Sequence, residues 1–186
     1  MDRICAWLSV WGYRRIEVPS LMPAGLFRAA TEGTDNRMFS LGGGAALAPE
    51  ITNYVRALGR GRLGCDQVFY VARCFRDETA TDAERLREFT QIGVERLGDN
   101  ALDCRKVVRR DAIRLLQELL PSSQWVLEDG VKRGLNLYDG SGKTFEIAAV
   151  SNRKQLLGGG PYDGGAGWAL GLERLMIALE RAAAPS

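Results

Sequence analysis

The stretch Gln67–Gly98 constrains the fold most, because it alternates with the period of a strand on both sides of a long loop. Val68, Tyr70, Ala72, Cys74, Arg76 and Glu78 share one face of the first predicted strand. Phe89, Gln91, Gly93 and Glu95 share one face of the second. Antiparallel pairing brings Arg76, Glu78, Phe89, Gln91 and Glu95 to a single surface. Arg76 offers a planar fork to a phosphate or carboxylate. Phe89 offers a ring on which a base can stack. Gln91 and Glu95 offer acceptors that suit an ammonium group. The loop Thr79–Leu86 exceeds the usual hairpin connection of about two to five residues. It carries Glu84 and Arg85, with Arg87 just beyond, and is long enough to cover a ligand. The same residues also suit a half-exposed sheet whose polar face meets water.

The remaining sequence narrows the chemistry. The chain of 186 residues reads as a single domain, 1–186, and its 46% apolar content suffices for a core. A net charge of +2 does not by itself indicate a nucleic-acid partner. The chain has no histidine, which excludes a Ser-His-Asp triad, a Cys-His pair and a histidine metal site. Cys5, Cys65, Cys74 and Cys104 are scattered, which suits a reducing compartment, and the expected location is the cytoplasm. No apolar run is long enough to span a membrane.

Along the chain, Asp2 caps a first predicted helix with Ile4, Trp7, Leu8 and Trp11 on one side, stopping near Gly12. Arg15–Leu21 reads as a short strand, Pro23–Asn36 as helix and loop, and Arg37–Leu41 as a strand. Gly42-Gly43-Gly44 reads as a turn. Pro49 suits the first turn of a helix whose apolar positions are Ile51, Tyr54, Val55 and Leu58. Glu50 also suits such a turn, favoured by the helix dipole. Asp99–Leu120 reads as an amphipathic helix with Val108, Ala112, Leu115, Leu116 and Leu119 inward. Its opposite face, Arg105, Lys106, Arg109 and Arg110, reads as solvated. Val126–Glu128, Val131–Leu137 and Thr144–Val150 read as strands. Gly140-Ser141-Gly142-Lys143-Thr144 lacks the upstream glycine of a phosphate-binding loop and reads as a turn. Gly158–Asp163 taken alone reads as a glycine-rich loop. Gly167–Leu175 leads from small residues into a helix with Leu172, Leu175, Met176 and Leu179 on one side. Arg174 falls in its first turn, where a cation is disfavoured unless an anion is near.

These segments resemble the class II aminoacyl-tRNA synthetases. Phe75-Arg76-Asp77-Glu78 with Arg85-x-x-x-Phe89 is similar to motif 2, and Gly167–Leu175 is similar to motif 3. The helix, strand and proline from Trp11 to Pro19 resemble motif 1, which builds the dimer interface in that family. The closest resemblance is to histidyl-tRNA synthetase, carried by LAPEIT around Glu50, REFTQIGVE around Gln91, Arg133–Tyr138 followed by Phe145-Glu146, and Gly158–Asp163. LAPEITNYVRAL also resembles pyrrolysyl-tRNA synthetase. Asn136, Leu137 and Pro161 stand where histidyl-tRNA synthetase has aspartate, tyrosine and arginine, which leaves the amino acid open.

The resemblance implies an α+β fold, a class II synthetase-like antiparallel sheet flanked by helices. It implies ATP-dependent activation of an amino acid to an aminoacyl-adenylate, with tRNA or another acceptor receiving the acyl group. The alternative it also implies is a non-catalytic paralogue, an amino-acid-sensing regulatory subunit like that of ATP phosphoribosyltransferase. By resemblance Arg76, Arg133 and Arg174 are the catalytic residues. Arg76 and Arg133 meet the α-phosphate and carboxylate, Arg85 and Arg174 the γ-phosphate, and Glu78 and Phe89 the adenine. Glu50, Gln91 and Glu95 hold the ammonium, and Tyr138 and Tyr162 line the side-chain pocket. Magnesium bridges the phosphates, with Glu146 as a candidate ligand. The expected assembly is a homodimer. A dozen residues follow Arg174 and about forty separate motif 2 from Arg133, so the expectation is a core lacking the anticodon-binding and insertion domains.

Overall fold

A computed structural model describes residues 1–27, 38–131 and 142–184. Arg133, Asn136, Leu137 and Tyr138 therefore lie outside the described residues, as do most of the segments read as Pro23–Asn36 and Val131–Leu137. The elements are α1 (Asp2–Val10), β1 (Arg14–Arg15), β2 (Leu21–Pro23), β3 (Ser40–Leu41), β4 (Ala45–Leu47) and α2 (Thr52–Leu63). There follow β5 (Gln67–Phe75), β6 (Glu88–Leu97), α3 (Ala101–Leu119), β7 (Trp125–Asp129), β8 (Phe145–Ala149), β9 (Gln155–Tyr162), β10 (Gly165–Gly171) and α4 (Leu172–Ala183).

β5 and β6 pair antiparallel, with Val68 opposite Glu95, Ala72 opposite Gln91 and Cys74 opposite Phe89. They belong to a seven-stranded sheet of order β1-β5-β6-β10-β9-β8-β7. Its β1–β5 pairing is parallel and its other described pairings are antiparallel. The short strands β2, β4 and β3 make a second sheet.

The two faces of the large sheet carry separate cores. Phe69, Ile92, Val94, Ile147, Trp168 and Leu170 pack with Leu8 of α1, Leu115 and Leu116 of α3 and Leu175 of α4. Helix α3 starts at Asn100, whose side chain accepts from the Leu102 and Asp103 amides and so satisfies two orphan donors. It buries Cys104, Val108, Ala112 and Leu115 along one stripe. Each fully buried leucine here contributes about 1.5–3 kcal/mol. The opposite sheet face carries Val68, Tyr70, Ala72, Cys74 and Tyr162, covered by Ile51 and by Val55 of α2. The candidate site residues lie on this second face.

Several expectations shift. Asp2 lies inside the first turn of α1, after Met1 at the cap, and the helix ends at Trp11 before Gly12, whose φ is +90°. The predicted strand Arg15–Leu21 divides into β1 and β2, with no regular structure at 16–20, because Pro19 has no N–H to donate to a ladder. Helix α2 begins at Thr52, not at Pro49. The basic face of α3 is matched within the chain: Arg105 and Arg109 meet Asp129, Lys106 meets Asp103, and Arg110 meets Asp111. Among the described residues no helix is long and apolar enough to cross a membrane.

The largest correction concerns Gly158–Asp163. Read as a loop, it supplies instead the end of β9, a buried strand between β8 and β10. A Cβ at Gly159 would overlap the Gly167 carbonyl and crowd Trp168. Glycine is required here for close approach of two backbones, not for a turn. Gly159→Ala is expected to lower the unfolding free energy by about 1–3 kcal/mol, read from the denaturant midpoint. Gly61→Ala, where a Cβ meets nothing within 4 Å, should leave it unchanged or slightly higher. Equal midpoints for both variants would show that the strands can part without cost.

Candidate functional site

A cleft of about 130 Å³ opens where β5, β6, β9 and β10 all reach the same end of the sheet. Arg76, Glu78, Arg85, Phe89, Gln91 and Arg174 line it. These residues come from the end of β5, the following loop, β6 and the first turn of α4. Arg76 and Arg174, nearly a hundred residues apart in sequence, thus share one cavity.

Backbone carbonyls hold both arginines. Arg76 donates through Nε to the Pro49 carbonyl at 3.1 Å, and its guanidinium stands 5.0 Å from the Phe89 ring centroid. Arg174 donates through Nε to the Glu84 carbonyl at 2.7 Å and through Nη1 to the Gln155 carbonyl at 3.1 Å. A neutral acceptor orients a guanidinium without cancelling its charge. The cleft lining thus brings the guanidinium groups of Arg76, Arg85 and Arg174 together with the carboxylates of Glu78, Glu84 and Glu173. Arg85 pairs with Glu78 at 3.5 Å, so the residues expected at the γ-phosphate and at the adenine meet each other here.

The loop after β5 is ordered by its own turn. Asp82 and Arg85 exchange backbone hydrogen bonds of 3.1 and 3.2 Å, and the Asp82 carboxylate accepts from the Glu84 amide at 2.7 Å. At the start of β6, the Thr90 amide donates to both oxygens of Glu173, which fastens the sheet to α4.

Glu50, Glu95 and Tyr162 lie outside the lining of this cleft, in a buried cluster beneath α2. Glu95 is fully buried; it accepts from Thr52 Oγ1 at 2.6 Å and from the Tyr162 hydroxyl at 2.7 Å. Glu50 accepts from the Asn53 amide, so it does serve the helix start. Gln91 joins the two regions: it lines the cleft and accepts from the Cys74 thiol. Burial pushes the Glu95 carboxyl up to about 8, although the Thr52 and Tyr162 hydroxyls oppose the shift. Burial likewise pushes Glu50 up to about 7, against the Asn53 and Thr52 amides and Arg76. A Cβ at Gly167 would overlap the Glu95 carboxylate, and one at Gly93 the Tyr70 ring. These glycines make the room that the Tyr70 ring and the Glu95 carboxylate fill.

Glu146 stands on the same sheet face, in the row Tyr70–Gly93–Ala169–Gly158–Glu146, but does not line the cleft. Among the described residues no three carboxylates or thiols converge where they could hold a metal ion. The described protein groups thus do not form a cage for magnesium. Arg133 and Tyr138 are outside the described residues. Sequence reasoning assigned no role to Gln155, Glu173 or Thr52 and noted Glu84 only as part of a covering loop. Thr52, two residues after Glu50, carried a local signal; the other three depend on contacts distant in sequence.

The family model described as histidyl-tRNA synthetase matches residues 1–128. A histidine–tRNA ligase of Dechloromonas aromatica (strain RCB) is 34% identical over 110 residues, covering 52% of this chain and 25% of that protein. An ATP phosphoribosyltransferase regulatory subunit of Geobacillus kaustophilus (strain HTA426) is 34% identical over 100 residues, covering 50% of this chain and 25% of that protein. The match thus spans about a quarter of the length of these curated relatives. Among solved structures, a pyrrolysyl-tRNA synthetase of Desulfitobacterium hafniense superposes with a TM-score of 0.75 at 19% identity, over 97% of this chain and 68% of the other. The apo histidyl-tRNA synthetase of S. aureus superposes with a TM-score of 0.66 at 21% identity, over 96% and 64%. At these identities the superpositions establish the fold, the class II synthetase sheet flanked by helices.

The buried carboxylates make stability depend on pH. The folded chain keeps a proton on Glu95 that the unfolded chain releases above about 4.5. The resulting stabilisation is complete below that value and is lost as the pH rises through about 8. Denaturant midpoints should therefore fall across this window, and Glu95→Gln should flatten the dependence. A slope unchanged by the substitution would mean that Glu95 is ionised in the folded chain.

Proposed function

The chain belongs to the histidyl-tRNA synthetase family, and we propose that it uses ATP to activate an amino acid as an aminoacyl-adenylate. The observation that carries this reading is the convergence of Arg76, Arg85 and Arg174 with Glu78 and Phe89 on one cleft. Three guanidinium groups suit a polyphosphate, and Phe89 suits a base. The amino-acid carboxylate attacks the α-phosphorus in line. A new P–O bond forms, the bond to the β-phosphate oxygen breaks, and pyrophosphate leaves. No covalent nucleophile is needed, so catalysis is positioning and charge stabilisation. Magnesium, bound to the phosphates, would add charge neutralisation, and no step here depends on a protein ligand for it.

In this reading Arg76 meets the α-phosphate and Arg174 the γ-phosphate. The Arg85–Glu78 pair opens when nucleotide enters, freeing Glu78 for the adenine and Arg85 for the γ-phosphate. Glu50, Gln91 and Glu95, with Tyr162 beside them, take the amino acid, whose ammonium would favour the ionised forms of the two glutamates. Arg133 and Tyr138 are assigned by resemblance to the α-phosphate and the side-chain pocket. The adenylate then passes to tRNA or another acceptor.

A second reading has its own support. The regulatory-subunit relative matches at the same 34% identity as the ligase. An amino-acid-sensing subunit would need the amino-acid residues and not the triphosphate cleft. Pyrophosphate exchange into ATP, dependent on one member of a broad amino-acid panel, is the expected result. Arg174→Ala should reduce it roughly 10²–10³-fold. Amino-acid binding by calorimetry with neither exchange nor ATP binding would establish the sensor instead.

A further inference from the structure

Glu84 carries a negative charge into a cleft lined by three arginines, yet it neutralises none of them through its carboxylate. Its side chain is 8% exposed. Both carboxylate oxygens accept from Asn152 Nδ2, at 2.9 and 2.8 Å. Arg181 Nη1 lies 2.7 Å from Oε1 and Lys154 Nζ 3.2 Å from Oε2. Lys154 also pairs with Asp82 at 3.0 Å, two residues earlier in the same loop. Burial pushes the Glu84 carboxyl up, but Lys154 and Arg181 outweigh it and hold the group below its ordinary value.

These partners come from two other parts of the chain. Arg181 is in the last turn of α4. Asn152 and Lys154 sit in the turn between β8 and β9. That turn contains Arg153 at φ +57°, the sole positive-φ residue other than glycine among the described residues. Its geometry is kept by Arg153 N donating to the Ala149 carbonyl and Ala149 N to the Lys154 carbonyl. A left-handed non-glycine residue persists when surrounding contacts over-determine it. Here those contacts present Asn152 and Lys154 together to Glu84.

We propose that Glu84 is a positioning residue: its anchored carboxylate fixes the loop so that its backbone carbonyl aims the Arg174 guanidinium into the cleft. The arrangement separates two tasks within one residue. The carboxylate is occupied by Asn152, Lys154 and Arg181, while the neutral carbonyl orients Arg174 and leaves its charge available to an anion. A loop residue without a side-chain anchor would let the carbonyl drift, and displacement of about 1 Å can cost roughly 10²-fold in a positioned site. The proposal rests on the nucleotide reading of the cleft.

Calorimetry of the wild-type chain with ATP comes first, followed by exchange kinetics with Glu84→Gln. The substitution keeps the size and one acceptor but removes the charge that holds Lys154 and Arg181. The expected result is a rise of roughly tenfold or more in Kd and KM for ATP, with KM for the amino acid changed less than about twofold. Arg181→Ala should give a smaller rise, Arg181→Lys should recover most of it, and Glu84→Gln with Arg181→Ala should be no worse than Glu84→Gln alone. Wild-type ATP affinity in Glu84→Gln overturns the proposal and leaves the nucleotide reading standing. So does a parallel rise of both KM values with a fall in thermal midpoint, which marks a merely structural role. Absence of ATP binding by the wild type removes both. Should Glu84→Gln fail to fold, Lys154→Ala combined with Arg181→Ala reads the same anchor from the other side, with the same expected and overturning results.

Discussion

The strands β6, β10 and β9 lie closer together than side chains would permit, and the site depends on that. A Cβ at Gly159 would strike the Gly167 carbonyl, one at Gly165 the Arg96 carbonyl, and one at Gly167 the Glu95 carboxylate. The empty glycine positions are filled by the ends of larger residues from neighbouring strands. Tyr70 extends over Gly93 and Glu95 over Gly167, which lets two large polar side chains lie flat under α2. Dense packing of this kind leaves no room for water to solvate a carboxylate. Glu95 must then be satisfied by protein groups, and Thr52 and Tyr162 supply them.

The same sheet sets the cleft at its edge. Where the glycine-lined rows end, Gln91, Gly171 and Leu156 open onto Arg76 and Arg174. The arginines are held by main-chain carbonyls of Pro49, Glu84 and Gln155, groups that cannot titrate. The adjoining buried cluster responds to pH through Glu50 and Glu95.

The α3 charges illustrate the opposite outcome. Arg105, Lys106, Arg109 and Arg110 form a basic stripe in sequence, yet Asp129, Asp103 and Asp111 answer them in space. Surface pairs of this type add little stability each. They do reduce the positive field on that face.

Local pattern alone determined the paired strands β5 and β6, the stripe of α3, the strand-to-helix passage at Gly167–Leu175 and the shared face of Arg76, Glu78, Phe89 and Gln91. Period-two and period-3.6 spacing act over a few residues, so a linear reading detects them. Tertiary structure alone decided that Gly158–Tyr162 is a buried strand, that Glu78 meets Arg85, and that Glu84 is anchored by Asn152, Lys154 and Arg181. A glycine run carries no periodicity, and its conformation follows from the backbones beside it. An ion pair between residues up to 97 positions apart has no local signature, because it exists only after the sheet brings both ends of the chain together.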